Sequence, residues 1–204
     1  MSGDYDDLTR VIREFKQLDK YSVKVGALKT GGGRSEEFME MIAMVNEKGC
    51  HIKAINHKYL TIPTKDAGRR TAREIPNLFF HWTKQHHLPT LCQNVNGQVK
   101  IMFYLKTSVD IPKRSFLRTT FDEKEATDWT KRVDECLNRM MDGDMTAKEL
   151  YADLGRLMVK DVQRAIYKAT PGNSPLTIAR KGKDTPLRDT GALYRSIDWV
   201  VVEK

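Results

Sequence analysis

"YSVKVGALKTGGGRSEEFMEMIAMVNEKG", residues 21–49, runs a strand, a break and a helix into one another. In its first eight residues Val23 and Val25 fall on one side and Ser22 and Lys24 on the other, the two-residue period of a half-buried strand. "KTGGGRS" then interrupts the pattern as a flexible loop. Ser35 is placed to cap a helix over Glu36 to Glu47, which packs Phe38, Met39 or Met41, Ile42 and Val45. Gly49 supplies the usual C-terminal stop. Strand and helix therefore both belong to the fold, and the flanks decide how they combine.

Upstream, Leu8, Val11, Ile12, Phe15 and Leu18 give Asp7 to Leu18 the single apolar face of an amphipathic helix. Downstream, from Cys50 to about Ile111, short apolar runs (Tyr59 to Ile62, Leu78 to Trp82, Val99 to Leu105) are separated by Pro63, Gly68, Pro76 and Pro89. This stretch reads as β-rich, with one short helix around Asp66 to Ile75. Asn96-Gly97 is a two-residue hairpin signal between Leu91 to Val95 and Val99 to Leu105. The aromatic run "LFFHWT" reads as core or interface.

Two long helices follow. The first starts at Asp122 and Glu125, carries Trp129, Val133, Cys136 or Leu137, and Met140, and stops at Gly143. The second opens on a Thr146/Glu149 capping box and runs through Leu150, Leu154, Leu157, Met158, Val162 and Ile166 to about Lys168. A long loop from Thr170 to Asp189 and a closing strand over Val200 to Val202 complete the chain. The expected class is α+β: a mostly antiparallel sheet packed with two long helices plus N-terminal helices. We expect one domain over 1–204, with a β-rich insertion at about 51–110 and a long C-terminal loop.

At 204 residues the chain is long enough to bury a core, and 40% hydrophobic with 30% charged residues is globular composition. No apolar run approaches eighteen residues, so no membrane helix is expected. "MSGDYDDLTR" is acidic where a signal peptide is basic and then apolar, and three unclustered cysteines suit reduced thiols, so a cytoplasmic setting is expected. The net charge of +8 permits nucleic-acid or acidic-protein contacts without requiring them.

Catalytic patterns fail one by one. A phosphate-cradling loop needs Gly, four spacers and Gly-Lys-Ser/Thr. Here the sequence is Gly33-Arg34-Ser35, with Leu28 at the position of the first glycine. The histidines (His51, His57, His81, His86, His87) and cysteines show no metal-ligand spacing, and "NHK" at 56–58 lacks the further ligands of a nuclease. No Gly-x-Ser-x-Gly elbow or activated cysteine occurs, and aromatics do not alternate with Lys or Arg as on a base-stacking strand. The expectation is a non-enzyme with no catalytic residue, no cofactor and no metal.

Three blocks point elsewhere. "IPKRSFLRTTFDEKE" carries Ile111, Pro112, Arg114, Phe116, Leu117 and Arg118, with Ser115 where a small residue or proline is usual. "PLTIARKGKDTPLRDTGALYRSI" carries Pro175, Leu176, Thr177, Arg180, Lys181 and Gly182, then Pro186, Leu187, Asp189, Thr190, Gly191, Leu193, Ser196 and Ile197. "VKVGAL" with "MIAMVNEKG" adds Ala43, Asn46, Glu47 and Gly49. In this order the blocks resemble the neck and tail-completion (virion morphogenesis) proteins of tailed bacteriophages, including the minor tail protein Z-like members. "YLTIPTKDAGRR" is similar to an insertion in the larger ones.

The resemblance implies a structural virion protein at the head-tail joint, assembled in the host cytoplasm. It implies a self-assembled ring, commonly of six, whose partners are head-closure or connector proteins, tail terminator or tail tube proteins and sometimes the tape measure. Genomic DNA would pass through the lumen, with no membrane partner. The assembly interface expected from the blocks comprises Arg114, Phe116, Arg118, Arg180, Lys181, Arg188, Asp189 and Arg195. Asp189 or Thr190 would cap a short helix whose apolar face is Leu193 and Ile197. The alternatives are a tail terminator ring, and a nucleic-acid-binding protein using the basic C-terminal loop.

Overall fold

The computed structural model describes residues 2–84 and 87–204, with side chains from residue 8 onward; His86 lies outside the described residues. The chain divides into two compact units. Unit one comprises Met1–Lys48, Arg114–Thr170 and Leu187–Lys204; unit two comprises Gly49–Lys113 and Pro171–Pro186. The class is α+β, with every strand pair antiparallel. In place of the one sheet expected, the strands form three separate sheets.

In unit one, β1 (Tyr21–Ala27) pairs with β8 (Ile197–Glu203), from Tyr21 opposite Glu203 to Ala27 opposite Ile197. The long helix α5 (Ala147–Tyr167) lies across this ladder, and its start is the predicted capping box: Thr146 accepts from the Glu149 amide while Glu149 accepts from Thr146. Gly155 lets the helix approach, because a methyl there would sit 2.8 Å from Trp199 ring atoms. Ala27, Met39, Ala43, Phe116, Val162, Ile166, Leu193 and Ile197 form the core. A second cluster joins Phe15, beside Leu18 and Tyr21, to Cys136, Met140 and Leu150. Phe15 belongs to α1 (Ser2–Gln17), and Leu18 is held by the Tyr151 hydroxyl donating to its carbonyl.

The helix α2 (Glu36–Lys48) begins with the Ser35 hydroxyl accepting from the Phe38 amide, as its sequence predicts. The glycine run before it is no flexible loop. Gly31 and Arg34 bond backbone to backbone around Gly32 and Gly33, both at positive φ. Gly31 also approaches the carbonyl of Ala192 so closely that a Cβ would lie 2.8 Å from that oxygen. Close approach to a neighbouring backbone is what the glycine is for.

The first long helix departs from expectation. It starts at Arg118 rather than at Asp122, as α3 (Arg118–Lys124), passes through one π-helical turn (Glu125–Trp129) and continues as α4 (Thr130–Met141). Its start is set by a residue far away in sequence, Glu47. The short α7 (Ala192–Ser196) is likewise entered through Gly191 at positive φ, with no side-chain cap at that position. The Thr190 hydroxyl accepts from the Ala192 amide one residue further on. Leu193 and Ile197 are both buried, although Ile197 already belongs to β8.

Unit two contains the ladder of β2 (Cys50–Lys53) with β7 (Ser108–Ile111). It also contains a four-stranded sheet in the order β3 (Leu60–Pro63), β6 (Gln98–Lys106), β5 (Pro89–Val95), β4 (Phe79–Trp82). The β5–β6 turn is the predicted Asn96-Gly97, both residues at positive φ as a type I′ hairpin requires. The helix expected around Asp66 to Ile75 is a series of turns instead. Gly68 at φ +63° breaks any helical run, and Arg70 donates to the Ala67 and Asp66 carbonyls that a helix would engage. Ala67 and Ile75 pin this segment into a core with Met102 and Phe103. The long C-terminal loop is interrupted by α6 (Pro175–Lys181), so it is shorter and more built than expected.

Candidate assembly surface

The blocks at residues 43–49 and 111–118 meet at the start of α3. Asn46 gives its carbonyl to the Arg114 amide at 2.7 Å. The Glu47 carboxylate, on the last turn of α2, accepts from the Ser115 hydroxyl, from the Leu117 amide at 2.9 Å and from the Arg118 amide at 3.0 Å. A carboxylate from one helix thus caps the start of another, where free amides and the helix dipole favour negative charge. Ser115, the departure within its block, is a partner of that cap.

This arrangement sorts the expected interface residues. Phe116 is 2% exposed and lies in the core of unit one, so its side chain is committed there. Arg114 is also buried, at 8%. It lines an open cavity of about 340 Å³ with Thr119, Thr120, Glu123, Lys168 and Thr170. Its lining carries both signs of charge, Arg114 and Lys168 against Glu123, and includes Ser115, whose hydroxyl is already donated to Glu47. Arg118 projects into solvent, 3.9 Å from Asp122 one turn on.

The remaining residues divide between the units. In unit one Arg188 lies over the Tyr167 ring at 4.6 Å, and Tyr167 meets Tyr194 edge to face with centroids 5.3 Å apart. Arg195 donates to the Thr190 carbonyl at 3.0 Å, while Asp189 is exposed. Arginine and tyrosine are the residues that carry binding energy at protein interfaces. Tyr167 and Tyr194 were not singled out in the sequence; the helical spacing of α5 places Tyr167 one residue past its last core position, Ile166, and half exposed.

In unit two, Arg180 and Lys181 end α6. Ser174 caps that helix by accepting from the Thr177 amide, Pro175 sits in its first turn, and Gly182 closes it in the left-handed conformation. Arg180 is exposed, but Lys181 donates to the Thr185 carbonyl at 2.7 Å. Asp184 accepts from the Asn173 amide at 2.7 Å, tying the two ends of the segment together. Of the two cations, Arg180 is the outward-facing one.

Buried charge elsewhere in unit one is structural. Asp161, 7% exposed, accepts from the Trp129 indole at 2.9 Å and from Arg164 at 3.1 Å. Asp153 accepts from Arg132 at 2.6 Å, which holds its carboxyl below the usual range and raises the guanidinium further. Burial raises the Cys136 thiol, so it is a poor nucleophile. Among the described residues no three His, Cys, Asp or Glu side chains converge as metal ligands. Likewise no described helix is long and apolar enough to cross a membrane.

Comparison of the chain with protein-family models, curated proteins and solved structures returned no match.

Proposed function

We propose that this chain is a structural subunit of the head-tail joint of a tailed phage, forming a ring between head connector and tail through which the genome passes. One observation carries the reading. Parts of all three blocks that resemble neck and tail-completion proteins meet in unit one, with Asn46 and Glu47 bonded to Arg114, Ser115, Leu117 and Arg118, and Phe116 sharing a core with Leu193 and Ile197; residues 175–186 belong to unit two. Motifs distant in sequence thereby support one another as a structural unit, and a closed ring would multiply each modest contact around its symmetry axis.

Within this reading Arg118, Arg180 and Arg195 supply outward cations, and the Arg188–Tyr167–Tyr194 group supplies an anchor for the neighbouring copy. The test is electron microscopy of the purified chain, alone and mixed with connector and tail proteins. Rings are expected, and in assembled particles the chain should sit at the end of the tail tube. Arg180→Glu should impair joining while leaving the melting temperature unchanged. A chain that stays monomeric in every mixture would refute the reading.

A further inference from the structure

The net charge of +8 is not spread over the chain. Unit two holds 13 Lys and Arg against 4 Asp and Glu, whereas unit one holds 22 against 23. Unit two therefore carries +9 and unit one −1. Its four carboxylates are also occupied. Asp66 lies 3.6 Å from Lys100, Glu74 accepts from Thr71, Asp110 pairs with His51, and Asp184 accepts from Asn173. Among the described residues of unit two, Lys65, Arg69, Arg73, Lys84 and Lys106 are exposed and have no carboxylate partner.

Three of these cations lie on one built segment. The turns from Lys65 to Arg73 are anchored by Ala67 and Ile75 in the core, and Arg70 folds back on the Asp66 and Ala67 carbonyls. Lys65, Arg69 and Arg73 are left facing water. Six residues beyond Arg73, a reach of at most about 20 Å, the chain enters β4. That strand is the edge of its sheet, and all four of its residues, Phe-Phe-His-Trp, are exposed. Phe80 and Trp82 stand edge to face with centroids 5.5 Å apart and about half their surface in water.

An aromatic edge of this kind is a hazard that proteins usually blunt with Pro or Lys within the strand. The opposite edge of the same sheet, β3, does carry Pro63; β4 carries neither residue. We propose that unit two binds single-stranded nucleic acid, its Lys65–Arg73 turns on the phosphates and the β4 aromatics on the bases. Stacking is indifferent to sequence because every base has a π-face, and clustered cations beside aromatic rings are how single strands are held. The charge segregation favours a polyanion over an apolar partner strand, for which +9 would be idle. The inference stands apart from ring formation: a monomer that binds DNA would keep it and refute the ring.

The test is fluorescence anisotropy of the full chain with a dye-labelled oligothymidylate about 15 nucleotides long, titrated across about 50 to 200 mM salt. The double variant Arg69→Ala/Arg73→Ala should make the log–log salt dependence shallower by about 1.4. Trp82→Ala should weaken binding about tenfold, within the range for losing one stacked base. Trp82→Phe, which keeps a ring, should hold affinity within about twofold. Circular dichroism checks that each variant is folded. An unchanged salt slope in the double variant, wild-type affinity in both Trp82→Ala and Phe80→Ala, or displacement of the oligonucleotide by polyglutamate at equal charge would each overturn the proposal. The last result would make the surface a dock for acidic protein.

Discussion

Replacing Glu47 by alanine removes one acceptor from three donors at once: the Ser115 hydroxyl and the amides of Leu117 and Arg118. The two amides belong to the first turn of α3, where no preceding helical carbonyl can take them. A hydrogen bond to a charged group contributes about 1.5–3 kcal/mol, a side-chain cap about 1 kcal/mol and the helix dipole about 0.3–1 kcal/mol. These contributions overlap, and water reaches a half-buried site, so the expected loss for Glu47→Ala is about 3 kcal/mol. For a chain of this size that lowers Tm by about 6–12 °C. Glu47→Gln keeps the shape and one neutral acceptor and should cost about 1–1.5 kcal/mol; Ser115→Ala leaves both amide bonds and should cost about 1 kcal/mol. Thermal unfolding followed by circular dichroism gives the order. Hydrogen exchange localises it, with the Leu117 and Arg118 amides losing protection first in Glu47→Ala. A Tm loss under about 2 °C for that variant, or equal losses for alanine and glutamine, would refute the reasoning.

Two further perturbations probe other parts of unit one. Gly155→Ala gains about 1 kcal/mol of helix propensity but drives a methyl to 2.8 Å from the Trp199 ring. Overpacking of about 1–3 kcal/mol should win, lowering stability and shifting tryptophan emission; a stabilised variant would contradict the packing of α5 on β8. Asp153 titrates below its ordinary value because Arg132 hydrogen-bonds its ionised form. Its stabilisation is therefore full above the unfolded pKa of about 4 and lost as pH falls through the lower folded value. Asp153→Asn should cost about 2 kcal/mol at neutral pH, and the gap between urea melts of variant and parent should begin to narrow as pH falls below about 4; a pH-independent gap would refute the assignment.

Local signals were legible where the residues that decide an element lie within it. The Thr146/Glu149 box, the Ser35 cap and the Asn96-Gly97 turn are each closed by neighbours a few positions away. Elements set from a distance were misread. The start of α3 depends on Glu47, about seventy residues earlier, so the local Asp122/Glu125 pattern pointed to the wrong turn. The glycine run looked mobile because the Ala192 carbonyl it packs against lies near the other end of the chain. At the candidate surface, the block pattern brought out Phe116 and Arg188 alike, but only packing separates the core ring from the arginine resting on Tyr167. The aromatic strand Phe79–Trp82, read as core or interface, lies exposed at a sheet edge; one-strand periodicity cannot say which strand lacks a neighbour.

The pairing of β1 with β8 has a consequence for synthesis. As the chain leaves the ribosome, β1 emerges before all of unit two and must wait for its partner, which follows unit two in the sequence. Most pairings of unit two, including the β5–β6 hairpin, come from one continuous stretch and can close while the polypeptide is still growing. Unit one can finish only after release of β8, since that strand also carries Ile197 into its core. Nascent chains stalled before β8 would thus hold back the unit on which ring building is proposed to rest. β8 thereby acts as a checkpoint on folding, denying the core of unit one to copies that stop short of it.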